Sequence, residues 1–270
     1  MYRNLCATYR FIKFVSIISV YLLQGTAIYL INRDPDVRRK RLIENAHRYG
    51  IRLVNAFNVQ VICKNPIPHD EGSLLIGNHV GFIDILALMS IVPAVFVTSG
   101  EMRKAPGLGQ ITEVAGCTYV DRVNRMKIHD ELKELIGVLK KGFRVVLYAE
   151  SVASDGEQVL PFKKTLMMAA GLAGVPIRPF VFNYREANGG PVKFEHRDAL
   201  CWHGDMSFLE SIWGALQLET LVCEIEFLPL FYTKPEDHRA EIAQKLHAMV
   251  SEKYVPFVDP NKRLENSLNS

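Results

Sequence analysis

Residues Leu74 to Leu88 read LLIGNHVGFIDILAL. A four-residue apolar run of strand length ends in Gly-Asn-His, and an apolar segment too long for a strand follows. A strand leaving through a turn into a helix is the repeating step of an α/β sheet, and the rest of the chain repeats it. Further strands are expected at VQVIC (59 to 63), VFVT (95 to 98), CTYV (117 to 120), RVVLY (144 to 148), IRPFVF (177 to 182) and CEIEFL (223 to 228). Helical periods lie between them, most clearly at 126 to 140, where Ile128, Leu132, Leu135, Ile136 and Leu139 share a face before Lys140-Lys141-Gly142. The expected fold is α/β, with a largely parallel central sheet flanked by helices. The turn-rich EANGGPVKF is read as a surface loop.

Reactive groups of such sheets gather beyond the carboxyl ends of the strands, where His79, Asp121, Arg122 and Glu150 fall. Five residues on a regular helix turn through about 500°, so His79 and Asp84 cannot share a helical face. With His79 in the turn, relaxed by Gly81, Asp84 in the first helical turn can reach one ring nitrogen. A carboxylate there fixes the tautomer and raises the basicity of the other nitrogen, as a general base requires. On spacing alone, a turn histidine with an unrelated helix-start aspartate fits as well. No G-x-S-x-G occurs and no cysteine stands in a nucleophile motif, so the attacking group is expected to be a substrate hydroxyl. His196, His203 and Asp205 lack ligand spacing and are read as loop polar groups, so neither metal nor cofactor is expected.

The N-terminus adds a membrane. FIKFVSIISVYLLQGTAIYLI, from Phe11 to Ile31, is broken only by Lys13 and Gln24 and nears the roughly 20 residues that cross a bilayer. Arg33 and the RRKR run at 38 to 41 outweigh the bases before it, which puts the body on the cytoplasmic face. A single span and a helix lying in one leaflet both fit; a buried core helix is the plainer alternative. Asp34-Pro35 then caps an amphipathic helix. The expected organisation is a membrane helix (1 to 33), that amphipathic helix (34 to 60), a catalytic domain (61 to 260) and a flexible tail (261 to 270).

The 270 residues suffice for one large core, and 49% hydrophobic with 23% charged residues is a globular composition. A net charge of +3, with many bases near the N-terminus, suits a membrane surface and not nucleic acid. Five widely spaced cysteines without a C-x-x-C element read as reduced thiols. Nothing in the sequence speaks to oligomeric state.

Read together, NHVGFID, GCTYVDR, YAESVASDGEQVLPFKK and VPIRPF resemble, in order and spacing, the four sequence blocks of the glycerolipid acyltransferase family, typified by the 1-acylglycerol-3-phosphate O-acyltransferases. The resemblance covers about residues 73 to 183. It implies transfer of a fatty acyl group from acyl-CoA or acyl-carrier protein to the free hydroxyl of a membrane lysolipid, without metal. By position, His79 resembles the catalytic base and Asp84 its orienting partner. Asp121 and Arg122 resemble the second block, which helps hold the acceptor, and Glu150 the third block's acid, which serves acceptor binding or the frame of the site. Lys163 and Lys164 add positive potential, and Pro176 and Pro179 resemble the fourth block. Backbone N–H groups at the helix start after residue 79 are expected to receive the developing oxyanion.

Two departures bear on the acceptor. Where the third block reads E-G-T-R, this chain has Glu150-Ser151-Val152-Ala153, and the family lysine after the 95 to 98 strand is replaced by Ser99 or Gly100. Both are cations that a phosphate monoester would use. Arg103, Lys104 and Arg122 are the bases that could refill the pocket. SDG at 154 to 156 and CWHGDMSFL at 201 to 209 resemble a bacterial branch that includes lyso-ornithine lipid acyltransferases. Two rivals stay open: a thioesterase or lipid hydrolase using the same pair on water, and a lysolipid-binding protein without activity.

Overall fold

The computed structural model describes residues 2–68, 70–121 and 125–258. In chain order the elements are α1 (Tyr2–Ile31), α2 (Pro35–Ala56), β1 (Val59–Lys64), β2 (Leu74–Gly77), α3 (Phe82–Ile91), β3 (Val95–Ser99), α4 (Gly100–Lys104), α5 (Leu108–Glu113), β4 (Thr118–Val120), α6 (Ile128–Lys140), β5 (Val145–Tyr148), α7 (Ala169–Ala173), β6 (Ile177–Ala187), β7 (Gly190–Pro191), α8 (Arg197–Leu200), α9 (Phe208–Leu216), β8 (Leu221–Phe227) and α10 (Arg239–Lys253). The strands form one sheet in the order β1-β8-β6-β2-β5-β3-β4, with β7 paired to β6. From β6 to β4 neighbouring strands are parallel; β8 runs against β6 and carries β1 parallel to itself. This is the mixed, mostly parallel α/β sheet that the sequence implies. Residues 261 to 270 lie outside the described residues.

Alternation along the central strands explains the two layers. Leu75, Val146, Tyr148, Phe180 and Phe182 point to one core, together with Ile83, Ala87 and Leu88 of α3. Leu74, Ile76, Val145, Leu147 and Val181 point to the other, with Leu135, Val138 and Leu139 of α6 and Ile242, Leu246 and Val250 of α10. Strands covered on both faces read as unbroken apolar runs, which is why LLIG and VVLY carry no polar alternation.

The EANGGPVKF segment is a tight hairpin and not an open loop. Glu186 pairs with Pro191 and Ala187 with Gly190. Asn188 and Gly189 both sit at positive φ, 55° and 76°, the backbone that a two-residue hairpin turn needs and an Asn-Gly pair accepts.

Only 11% of the most apolar window of α1 is buried, so it is not a core helix, and it is long and apolar enough to cross a membrane. Asp34 caps α2 by accepting the N–H groups of Asp36 and Val37, each at 2.9 Å. Within the RRKR run, Arg38 lies over the Tyr29 ring at 4.4 Å and Arg39 is 3.7 Å from Glu134, while Lys40 and Arg41 are exposed.

Candidate active site

The His79 turn is pinned from both sides. Asn78, buried, donates its amide to the Phe182 carbonyl (3.0 Å) and accepts the Phe182 N–H (2.8 Å), so a side chain continues the β2–β6 ladder past Gly77. On the β5 side, Glu150 accepts the His79 N–H at 2.6 Å. Ser154 closes the third side, donating its N–H to the His79 carbonyl at 2.8 Å.

Asp84 stands in the first turn of α3 and is 1% exposed. Its Oδ2 accepts the N–H groups of Val80 (2.7 Å) and Gly81 (2.9 Å). Both carboxylate oxygens lie 3.0 Å from His79 Nδ1. An ionised Asp84 assigns the ring proton to Nδ1 and leaves Nε2 with its lone pair. Among the described residues Nε2 has no partner, and the imidazole side chain is 14% exposed. The pair therefore has the geometry of an oriented base open on one side.

Three features escape sequence reading. Tyr148 stacks on the imidazole, with ring centroids 4.3 Å apart and planes 24° from parallel. The only sequence signal is its place as the last residue of β5, one position before the acid's neighbour. Gly77 pairs with both Tyr148 and Phe180, and a Cβ there would come within 2.5 Å of the Phe180 ring. Its bareness lets Phe180 reach across to meet Tyr148 edge-on at 6.0 Å. Gly81 is needed for space and not for unusual backbone: its φ is 171°, ordinary extended chain, but a Cβ would sit 2.9 Å from the Leu200 carbonyl.

Glu150 is 2% exposed, and both oxygens are taken, Oε1 by the His79 N–H and Oε2 by the Leu160 N–H at 2.6 Å. Burial pushes its carboxyl up to about 7, although the two N–H groups pull it down. The oxyanion donors expected at the start of α3 need correction, because the Val80 and Gly81 N–H groups are already bound by Asp84.

The sheet brings His79, Asp84 and Glu150 together and holds Asp121 apart. Asp121 follows β4, three strands from β2, which is about 14 Å by strand spacing. Its N–H meets Glu131 at 2.5 Å and its carboxylate meets Lys127 at 3.2 Å. Arg122 lies outside the described residues. Lys163 donates its backbone N–H to the Ala149 carbonyl (2.7 Å) and leaves its side chain exposed. His196 accepts the Lys193 N–H, and His203 lies 3.3 Å from Asp198.

Arg103 does not turn toward His79: it lies over the Tyr119 ring at 4.9 Å and 4.0 Å from Glu113. It lines a cavity of about 470 Å³ beside α2 and β4, with Arg39 and Glu134 among its walls. That cavity is at the sheet edge; Arg39, Arg103 and Lys141 face its carboxylates Glu134, Glu113 and Asp36, and Arg38 lies over Tyr29.

Fold and site together define an α/β enzyme with its reactive groups at the strand exits and an apolar helix leading the chain. A family model described as Acyltransferase matches residues 58–183. The lyso-ornithine lipid O-acyltransferase of Brucella abortus (strain 2308) is 30% identical over 222 residues, covering 78% of this chain and 81% of that protein. The 1-acyl-sn-glycerol-3-phosphate acyltransferase of Neisseria meningitidis serogroup B is 24% identical, covering 80% and 81%. The crystal structure of the 1-acyl-sn-glycerophosphate acyltransferase PlsC from Thermotoga maritima superposes with a TM-score of 0.65 over 93% of this chain and 95% of that one, at 20% identity. The chain belongs to the glycerolipid acyltransferase family and is an acyltransferase.

Proposed function

We propose that the protein moves a fatty acyl group from acyl-CoA or acyl-carrier protein to the free hydroxyl of a lysolipid, at the cytoplasmic face of the membrane, with His79 as general base. The observation that carries this is the two-oxygen approach of Asp84 to His79 Nδ1, with Nε2 left open. Nε2 takes the hydroxyl proton as the oxygen attacks the thioester carbon. The tetrahedral intermediate then expels the thiolate, which receives that proton, and ester and free thiol leave. No acyl-enzyme forms. Cys201, the thiol next to Leu200 and Trp202, is buried, and burial pushes it far above its ordinary range, which suits packing and not nucleophilic attack. Glu150 acts as a strut under the His79 backbone. The acceptor's head group extends along the strand exits toward Asp121 and Lys163, and Arg122, the residue after Asp121 in the second block, is assigned to the same head group.

The acceptor we favour is a lysolipid without a phosphate monoester, of the lyso-ornithine kind. Ala153 stands where the family block has its arginine, and the Ser99 hydroxyl caps α4 by accepting the Met102 N–H at 3.2 Å. Arg103 is held at the sheet edge and supplies no substitute cation. In its membrane setting α1 lies along the domain within one leaflet. Its contacts run from Ala7, through Tyr21, to Gly25, where a Cβ would meet Val114 at 2.5 Å, so crossing the bilayer would strip it from the body.

The test is purified protein with acyl-CoA and, separately, lyso-ornithine lipid or lysophosphatidic acid. The expected result is acylated product, with kcat/KM at least about ten-fold higher for the ornithine lipid, the size of one missing charge-assisted contact. Parity, or a preference for the phosphate, overturns the acceptor assignment. Thiol release at full rate without acceptor marks a hydrolase, and binding without product marks a non-catalytic protein.

A further inference from the structure

Two helices far apart in sequence each expose large apolar side chains and touch one another. On α1, Leu5, Tyr9 and Ile12 are 63%, 69% and 60% exposed. On α9, Leu209 (67%) and Trp213 (37%) are four residues apart and share a face. The two helices are fastened together. Phe11 meets Trp213 edge-on with centroids 6.3 Å apart. Arg10 gives its guanidinium to the carbonyls of Leu216, Leu218 and Glu219 at the end of α9. Cations are favoured where helix carbonyls are left unpaired, so the charge of Arg10 is spent on a protein partner and not on lipid, while Lys13 stays exposed.

We propose that the outer face of α9, through Leu209 and Trp213, inserts into the same leaflet as α1 and forms a second part of the membrane seat. Exposed apolar side chains on a helix packed against a membrane helix fit a bilayer, and an aromatic ring beside a polar rim is typical of the interface depth. Glu210, next to Leu209, is turned back to accept the Ser207 N–H at 2.7 Å and belongs to that rim. The arrangement also has a catalytic consequence. Phe208, the first residue of α9, meets Phe82 at 5.9 Å and Trp202 at 5.3 Å. Trp202 donates its backbone N–H to the Val80 carbonyl at 2.8 Å, one residue from His79. Lipid held against α9 therefore borders the wall of the His79 turn, and the acceptor enters sideways from the leaflet.

This rests on the in-leaflet seating of α1 proposed above, and the experiment separates the two. The chain has two tryptophans, so Trp202→Phe leaves Trp213 alone as a reporter. The full-length variant is bound to phosphatidylethanolamine–phosphatidylglycerol vesicles whose acyl chains are brominated. A companion carries Tyr9→Trp with both native tryptophans replaced by Phe. The expected result is quenching of Trp213 close to that at position 9. Quenching at position 9 alone overturns the α9 contact and leaves α1 in lipid; quenching at neither site overturns both. As a second reading, Leu209→Gln in the otherwise unaltered chain should weaken vesicle co-sedimentation by about five- to ten-fold, the size of one exposed leucine returned to water. Unchanged binding would count against α9.

Discussion

The strands β2, β5 and β6 hold carboxylates at both ends and treat them in opposite ways. Before the strands begin, Glu71 meets Arg178 through both oxygens, at 3.0 and 2.5 Å. Arg144 adds donations to the backbone carbonyls of Glu71 and Pro68, both at the same end. Beyond the strand exits, no cation among the described residues is a hydrogen-bond partner of Asp84 or Glu150: backbone N–H groups and one imidazole ring satisfy them. A guanidinium fork makes a carboxylate a fixture. Amide donors hold a carboxylate in place without neutralising it, which leaves Asp84 able to stabilise a positive charge forming on His79.

The comparison is broken most strongly at the imidazole. His79→Ala should lower acyl transfer by at least ~10²-fold with the fold intact, checked by kinetics and circular dichroism on the same preparation. Asp84→Asn should give a smaller loss of turnover through the wrong tautomer, together with lower stability, since Asp84 also holds two backbone N–H groups. At the other end, Arg178→Met should cost about 2 kcal/mol in denaturant unfolding and leave kcat per folded molecule unchanged, because it takes the guanidinium from a part-buried Glu71 far from the chemistry.

Glu150 sharpens the contrast through pH. Its carboxyl ionises near 4.5 in the unfolded chain and near 7 in the fold, so the fold binds the proton more tightly. Its contribution is fully present below about 4.5 and is lost as pH rises through about 7, a change on the order of 3 kcal/mol. Stability measured across that window should fall with rising pH, and Glu150→Gln should flatten the slope. The smallest effect is at Ser151, which holds φ at 69° where the family block has glycine. Ser151→Gly should raise stability by about 1 kcal/mol, by relieving a left-handed conformation that a side chain disfavours.

Much of this was legible in the residues and the rest was not, for physical reasons. LLIG, VVLY and the helical period at 128 to 139 announce themselves through local pattern, and helix geometry allows the His79–Asp84 approach without requiring it. Which of its two expected roles Glu150 takes was not legible, because its partner is a backbone N–H 71 residues away, which no spacing rule reaches. The gap at Gly77 is filled from β6, and the space Gly81 must leave is set by Leu200, so both are tertiary facts. The joining of α1 to α9 runs through Arg10, 206 and 208 residues from the carbonyls of Leu216 and Leu218. The Asn-Gly hairpin signal, by contrast, was local and stood in plain view at 188 and 189.

The most direct measurement of the central claim is the intact mass of the protein, rapidly quenched during turnover with acyl-CoA and a lysolipid. Direct attack by a hydroxyl deprotonated at His79 predicts an unmodified chain at every time point while product accumulates. A chain heavier by one acyl group, appearing and decaying at the rate of turnover, would contradict it.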